Sequence, residues 1–212
     1  MGRGHGGSRG GVSAKAGGFQ GDASMRHMSA GLQKALTARE EEIRNGMSEK
    51  GSIFDLEGNE TFRQDVGTNG AVNLKGAPWQ DRVIVHNHPA VEPNGYRRAD
   101  GGGSFSKNDV MDAIGLGASE MRAVTEKYTY SMKRPKSDWS YYGTWKGRQT
   151  SGAGANYDKA QAFVDKQNER YLRNYKGDKR TARRRIEAVY YHQINKNFAE
   201  RMGFEYTKTK VH

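Results

Sequence analysis

No cysteine occurs anywhere in the 212 residues, so disulfides, thiolate metal sites, iron–sulfur clusters and cysteine nucleophiles are excluded. Apolar residues are scarce as well. Only 34% of the chain is hydrophobic, less than one packed globule of this length normally carries, which predicts that part of the sequence stays outside any core. Long apolar runs are missing too. None approaches membrane-spanning length and none near residue 1 forms a signal-peptide core, so the expectation is a soluble chain made in the cytoplasm. The absence of a GxxxxGK[ST] pattern argues against phosphate-loop chemistry. Without a Pro-Cys-x-x-Cys pair, a zinc deaminase is ruled out.

Glycine and positive charge are abundant instead. There are 28 glycines, and the formal net charge is +11, which predicts attraction to polyanions such as nucleic acid, an anionic envelope or acidic proteins. The charge is concentrated. Arg170, Arg173, Lys176, Lys179, Arg180, Arg183, Arg184 and Arg185 face only Asp178 within residues 170 to 185. Such a stretch reads either as a solvated helix face or as an anion-binding surface.

Along the chain, residues 1 to 28 are Gly, Ser and basic residues and read as a flexible tail. Residues 29 to 45 carry a weak helical stripe of Leu32, Leu36 and Ile43 that stops at Gly46. Residues 49 to 62 suggest a β-hairpin turning at Glu57-Gly58-Asn59, and residues 71 to 74 a further short strand. Arg82 to Val85 is a β-branched run suited to a buried strand. A long loop reaches Phe105. Residues 106 to 116 read as a helix, and 121 to 125 and 128 to 132 as two strands, which indicates an α/β core of mixed pairing. Residues 136 to 155 form a Gly-rich, aromatic linker, in which Trp139, Tyr141, Tyr142 and Trp145 suit either loop packing or base stacking. Two basic helices, 157 to 175 and 179 to 202, follow. Their stripe of Ile186, Val189, Tyr190, Ile194, Phe198 and Met202 reads as a small core or docking surface, with His192 a packed side chain on it.

Chemistry concentrates at Val85-His86-Asn87-His88-Pro89, where the buried strand ends. Alternate residues of a strand share a face, so His86 and His88 project the same way, and Pro89 stops the ladder beyond them. Two imidazoles side by side are a usual start to a zinc site. Downstream, Ser106-Lys107-Asn108-Asp109 opens a helix; upstream, Glu49 heads a strand. The letters HNH do not indicate an HNH nuclease, whose residues are spread far more widely.

Glu49, the His86-x-His88-Pro89 run and the Ser106-x-x-Asp109 helix start resemble the signature of the JAB/MPN (JAMM) metallopeptidases, most closely the RadC-type and phage-associated branches. The resemblance covers residues 45 to 133. It implies an α/β domain with a mixed central sheet flanked by helices, similar to the cytidine-deaminase-like arrangement, over residues 29 to 135. Residues 156 to 212 are then a basic helical extension. It also implies a Zn2+ ion held by His86, His88 and Asp109, with water in the fourth position. Glu49 is implied as the base that takes the water's proton and Ser106 as a group stabilising the oxyanion. Seventeen residues separate His88 from Ser106, more than the family pattern has, so a loop insertion at the rim is expected, with Arg97 and Arg98 placed to meet an acidic group. Ser106 and Asp109 also fit a simple helix cap.

Two functions follow as expectations. One is a zinc-dependent peptidase or isopeptidase acting on a protein or peptide, phage-associated and located in the host cytoplasm or the virion. The other is a phage assembly protein whose JAMM-like domain serves as an interaction module, with its basic helices on nucleic acid or an anionic envelope.

Overall fold

The computed structural model describes residues 28–65, 72–74, 76–91, 95–98, 101–134 and 148–211. The expected tail up to residue 27, and residues 136–147 of the expected linker, lie outside them. Among the described residues the chain is an α/β protein with five helices and one mixed six-stranded sheet. In chain order these are α1 (Ala30–Ile43), β1 (Gly51–Phe54), β2 (Glu60–Gln64), β3 (Val83–Asn87), α2 (Lys107–Gly115), β4 (Glu120–Val124), β5 (Tyr128–Lys133), α3 (Arg148–Asn174), α4 (Lys179–Glu187), α5 (Tyr190–Met202) and β6 (Glu205–Lys210). The strands lie in the order β2-β1-β3-β4-β5-β6. Only β3 and β4 are parallel, joined by the crossover that contains α2; the other pairs are antiparallel.

Alternation along β3 assigns its two faces. Val83 and Val85 pack with Leu32, Leu36 and Ile43 of α1, and Ile84 joins the larger core under α2, α3 and α5. The sheet is therefore covered by helices on both sides, and β3 is buried along its whole length, as a central strand must be. Among the described residues no helix is long and apolar enough to cross a membrane.

The C-terminal third departs from the sequence-based expectation. Residues 148–155, read as linker, form the first two turns of α3. The second basic helix is two helices, because Val189 leaves helical geometry with ψ near −1°. Residues 205–210 are a strand that pairs with β5 along its full length. Tyr157 and Val164 of α3, with Ile194, Phe198 and Met202 of α5, join Ile84, Met121 and Tyr130 in one core. The segment expected as an appended helical extension is thus part of the same folded unit. Residues 72–74 form no strand; Leu74 is buried and its carbonyl accepts from the Trp79 indole at 2.7 Å.

Candidate metal centre

Register builds the site. β1 and β3 run antiparallel with Gly51 opposite His86. Continuing two residues beyond the last pair sets Glu49 opposite His88, and directly opposed residues point to the same side of a sheet. His86 and His88 alternate onto that side as well. Three of the five candidate residues therefore share one face at one end of the sheet before any side chain is placed.

Asparagine 87 fixes this register past the end of the ladder. It is fully buried between the histidines on the opposite face. Its Oδ1 accepts from the Lys50 N–H at 2.6 Å, and its Nδ2 donates to the Ser48 carbonyl at 3.1 Å. The short segment that carries Glu49 is thereby stitched to the histidine strand. Glu49 in turn accepts from the Val72 N–H at 3.0 Å.

Asp109 arrives from α2. Ser106 is the N-cap, and the pair forms a reciprocal capping box. The Asp109 N–H donates to Ser106 Oγ at 3.2 Å, and the Ser106 N–H donates to Asp109 Oδ2 at 2.7 Å. The helix-cap reading is correct, and it positions the carboxylate rather than competing with ligation. Asp109 Oδ1 lies 3.9 Å from His86 Nε2, and its Oδ2 lies 3.6 Å from His88 Nε2. The two Nε2 atoms are 2.9 Å apart.

Those separations test whether a metal fits. Two donors each about 2.0–2.1 Å from one ion at a tetrahedral angle stand roughly 3.4 Å apart. The observed 2.9, 3.6 and 3.9 Å bracket that value, so a small displacement would bring all three donors onto one ion. The tautomer agrees. His88 Nδ1 lies 3.1 Å from the Gly103 carbonyl, which can only accept, so Nδ1 carries the proton. In the neutral ring the Nε2 lone pair is then free for a metal. His86, His88 and Asp109 are the group among the described residues whose ligand atoms lie within 4.8 Å of one another.

Burial sets the electrostatics. Both imidazoles are enclosed, at 5% and 7% exposure, while the Asp109 side chain keeps 26% of its surface, so the site opens to solvent on the aspartate side. Burial pushes His86 down to about 4 against the pull of Asp109. It also depresses His88, but the hydrogen bond and charge of Asp109 and the charge of Glu49 outweigh it, and the net shift is upward. Asp109 is held well below the usual carboxylate range; its own burial opposes this, and the two histidines prevail. Burial raises Glu49 above an ordinary glutamate, offset in part by His88 and the Val72 N–H. Glu49, His86 and Asp109 line one side of a cavity of about 60 Å³ whose other walls include Leu74, Trp79 and Met121.

The loop between β3 and α2 supports the site from behind. Gly102 has φ +145°, and a Cβ there would sit 2.5 Å from the His88 carbonyl and 2.8 Å from Thr125 Cγ2. Only glycine lets the loop approach closely enough for Gly103 to meet the His88 ring. Asn195 of α5, also fully buried, donates to Ser104 Oγ at 3.2 Å and to the Phe105 carbonyl at 2.7 Å. Tyr206 of β6 meets Ser104 Oγ at 2.8 Å and His192 Nδ1 at 2.9 Å. Arg97 is paired with Glu126 of its own chain at 2.5 Å, and Arg98 Nη1 donates to the Gly102 carbonyl at 2.8 Å, so both rim arginines brace the loop.

The structure brings together all five residues singled out from the sequence. Sequence reasoning missed Asn87, Gly103 and Asn195. Asn87 stood inside the motif, but its partners are backbone groups of a segment 37 to 39 residues away. Gly103 acts through its carbonyl, which every residue has. No protein-family model, no curated protein and no solved structure matches this chain.

Proposed function

We propose that the protein is a zinc-dependent hydrolase of the JAB/MPN (JAMM) type that cleaves an amide bond in a peptide or protein. One observation carries the reading: two imidazoles and a carboxylate converge from β3 and α2, with a half-buried glutamate opposite His88 and outside the ligand triad. Two neutral nitrogens and one carboxylate suit zinc, leave its fourth position open and match no hard-cation preference for all-oxygen sites. Zinc in this place would supply a bound water of pKa about 7 and would polarise the scissile carbonyl.

The protein's own groups perform the rest. The Gly103 carbonyl fixes the proton of the neutral His88 ring on Nδ1, so that this ring presents its Nε2 lone pair. Asp109 keeps its negative charge because its pKa is depressed, and the capping box fixes its orientation. Glu49 has a raised pKa and a half-buried setting, which suits a group that must take a proton from water and return it to the leaving amine near neutral pH. The Ser106 oxygen accepts from the helix backbone, so its hydroxyl hydrogen remains to stabilise the developing oxyanion.

The test is release of new amines by the zinc-loaded full chain from pools of linear peptides and of ε-linked isopeptides. Glu49→Gln should retain zinc and lose about 10²–10⁴-fold in rate. Absence of amine release by the zinc-loaded wild type from every pool would refute hydrolysis.

A further inference from the structure

The excess positive charge has a location that the metal centre does not explain. Residues 166 to 185, spanning the end of α3, the connecting turn and α4, hold nine basic residues against Glu169 and Asp178. Asp178 is occupied as the N-cap of α4, accepting from the Arg180 and Thr181 N–H groups at 3.1 and 2.8 Å. Glu169 reaches Arg173 only at 3.8 Å, both exposed. Lys179 caps the end of α3 through the Leu172 and Tyr175 carbonyls. Arg170, Lys176, Arg180, Arg183, Arg184 and Arg185 are exposed and make no ion pair with any described residue.

The sheet half of the molecule is built differently. Arg39, Arg63, Arg122 and Arg134 are each paired with one or more carboxylates. Among the described residues, exposed arginines without an ion pair are thus concentrated on this helix pair. An ordinary solvated face usually intersperses acids for i,i+4 support, and α4 has none before Glu187. Like charges at i, i+3 and i+4, as at Arg180, Arg183 and Arg184, cost helix stability on their own, and a bound polyanion relieves that cost.

We propose that α4 and the end of α3 form a binding surface for the phosphodiester backbone of nucleic acid. Arginines on adjacent turns suit a regular row of phosphates. Tyr171 is exposed between Arg170 and Arg173, with the Tyr175 ring tilted beside it at a centroid distance of 5.3 Å, and aromatic rings among cations are what a base or sugar packs on. A bilayer is the poorer partner, because α4 exposes no large apolar side chain to enter it.

The test is fluorescence anisotropy of the full chain on a mixed-sequence DNA duplex of about 20 base pairs across a salt series. The variant R180A/R183A/R184A should bind at least about tenfold more weakly, with the slope of log affinity against log salt reduced by about 2–3. The corresponding triple Arg→Lys variant, which keeps the charges, should retain binding. A control that removes three exposed lysines from other elements, K34A/K127A/K210A, should bind nearly as the wild type does. The proposal is overturned if the arginine variant binds unchanged, or if the lysine control loses as much. It is also overturned if anionic phosphatidylserine vesicles are bound while the duplex is not.

Discussion

Within the site, Asn87 shows how a residue on the opposite face can position the groups of a candidate centre. Its amide joins Lys50 and Ser48 to the histidine strand, and the Glu49 carboxylate lies between those two tethers. Asn87→Leu keeps the volume and removes the tethers, leaving the Lys50 N–H and Ser48 carbonyl without their partner. The expected outcome is a stability loss of about 1–3 kcal/mol by urea titration. Zinc stoichiometry should be unchanged, and kcat should fall while KM moves little. At this scale the ligands were legible in the sequence, because strand alternation and an N-terminal helix position are local patterns. Asn87 was not, because its partners are brought to it by tertiary folding. The role of Asp109 was ambiguous for a physical reason: the same short carboxylate suits a cap and a ligand, and here the capping Asp109 also lies beside both imidazoles.

Among the elements, the connection from β3 to α2 is the least regular and the most constrained. Residues 101–103 all have positive φ, so the Gly-Gly-Gly run is a shaped support rather than a slack linker. Gly102→Ala places a methyl group against the His88 carbonyl and Thr125. It should lower stability by about 1–3 kcal/mol and weaken zinc affinity about 10- to 100-fold by pulling Gly103 from the His88 ring; a competitive chelator titration measures the second effect. Legibility varied among elements. The hairpin strands, β3, α2, β4 and β5 follow their apolar patterns closely. β6 escaped because an edge strand of Glu, Thr and Lys, exposed on alternate residues, has no apolar period to detect. The break between α4 and α5 carries no Gly or Pro and is set by packing, with Tyr190 reaching Asp165 of α3 at 2.8 Å.

Taken whole, the molecule owes its acid sensitivity to two histidines linked through the rings of Phe105 and Tyr206. Burial holds His192 neutral and lowers it to about 4, with Lys208 and Lys196 adding to the effect, and burial does the same to His86. In the unfolded chain both protonate near 6.5. A base whose folded pKa is depressed contributes stability that is complete above its unfolded pKa and is lost as pH falls toward the folded value. The stability that these two histidines contribute to the metal-free protein should therefore be lost between about pH 6.5 and pH 4, opposed by His88, whose raised pKa acts in the other direction. His192→Gln should flatten part of the slope of Tm against pH, and an unchanged slope would count against the buried neutral histidine. The same coupling explains why the C-terminal third could not be read as an appendage. Its apolar residues complete the core beneath the sheet, and Asn195 and Tyr206 brace the loop behind His88.

The central claim is that two rings of β3 and one carboxylate of α2 bind the same ion. X-ray absorption at the zinc edge of the protein loaded with one equivalent of zinc reads this directly. The account predicts about four nitrogen and oxygen donors near 2.0–2.1 Å, with outer-shell scattering from two imidazoles that drops to one in His88→Ala. A spectrum without imidazole scattering, or zinc that is not retained at one ion per chain, would contradict it.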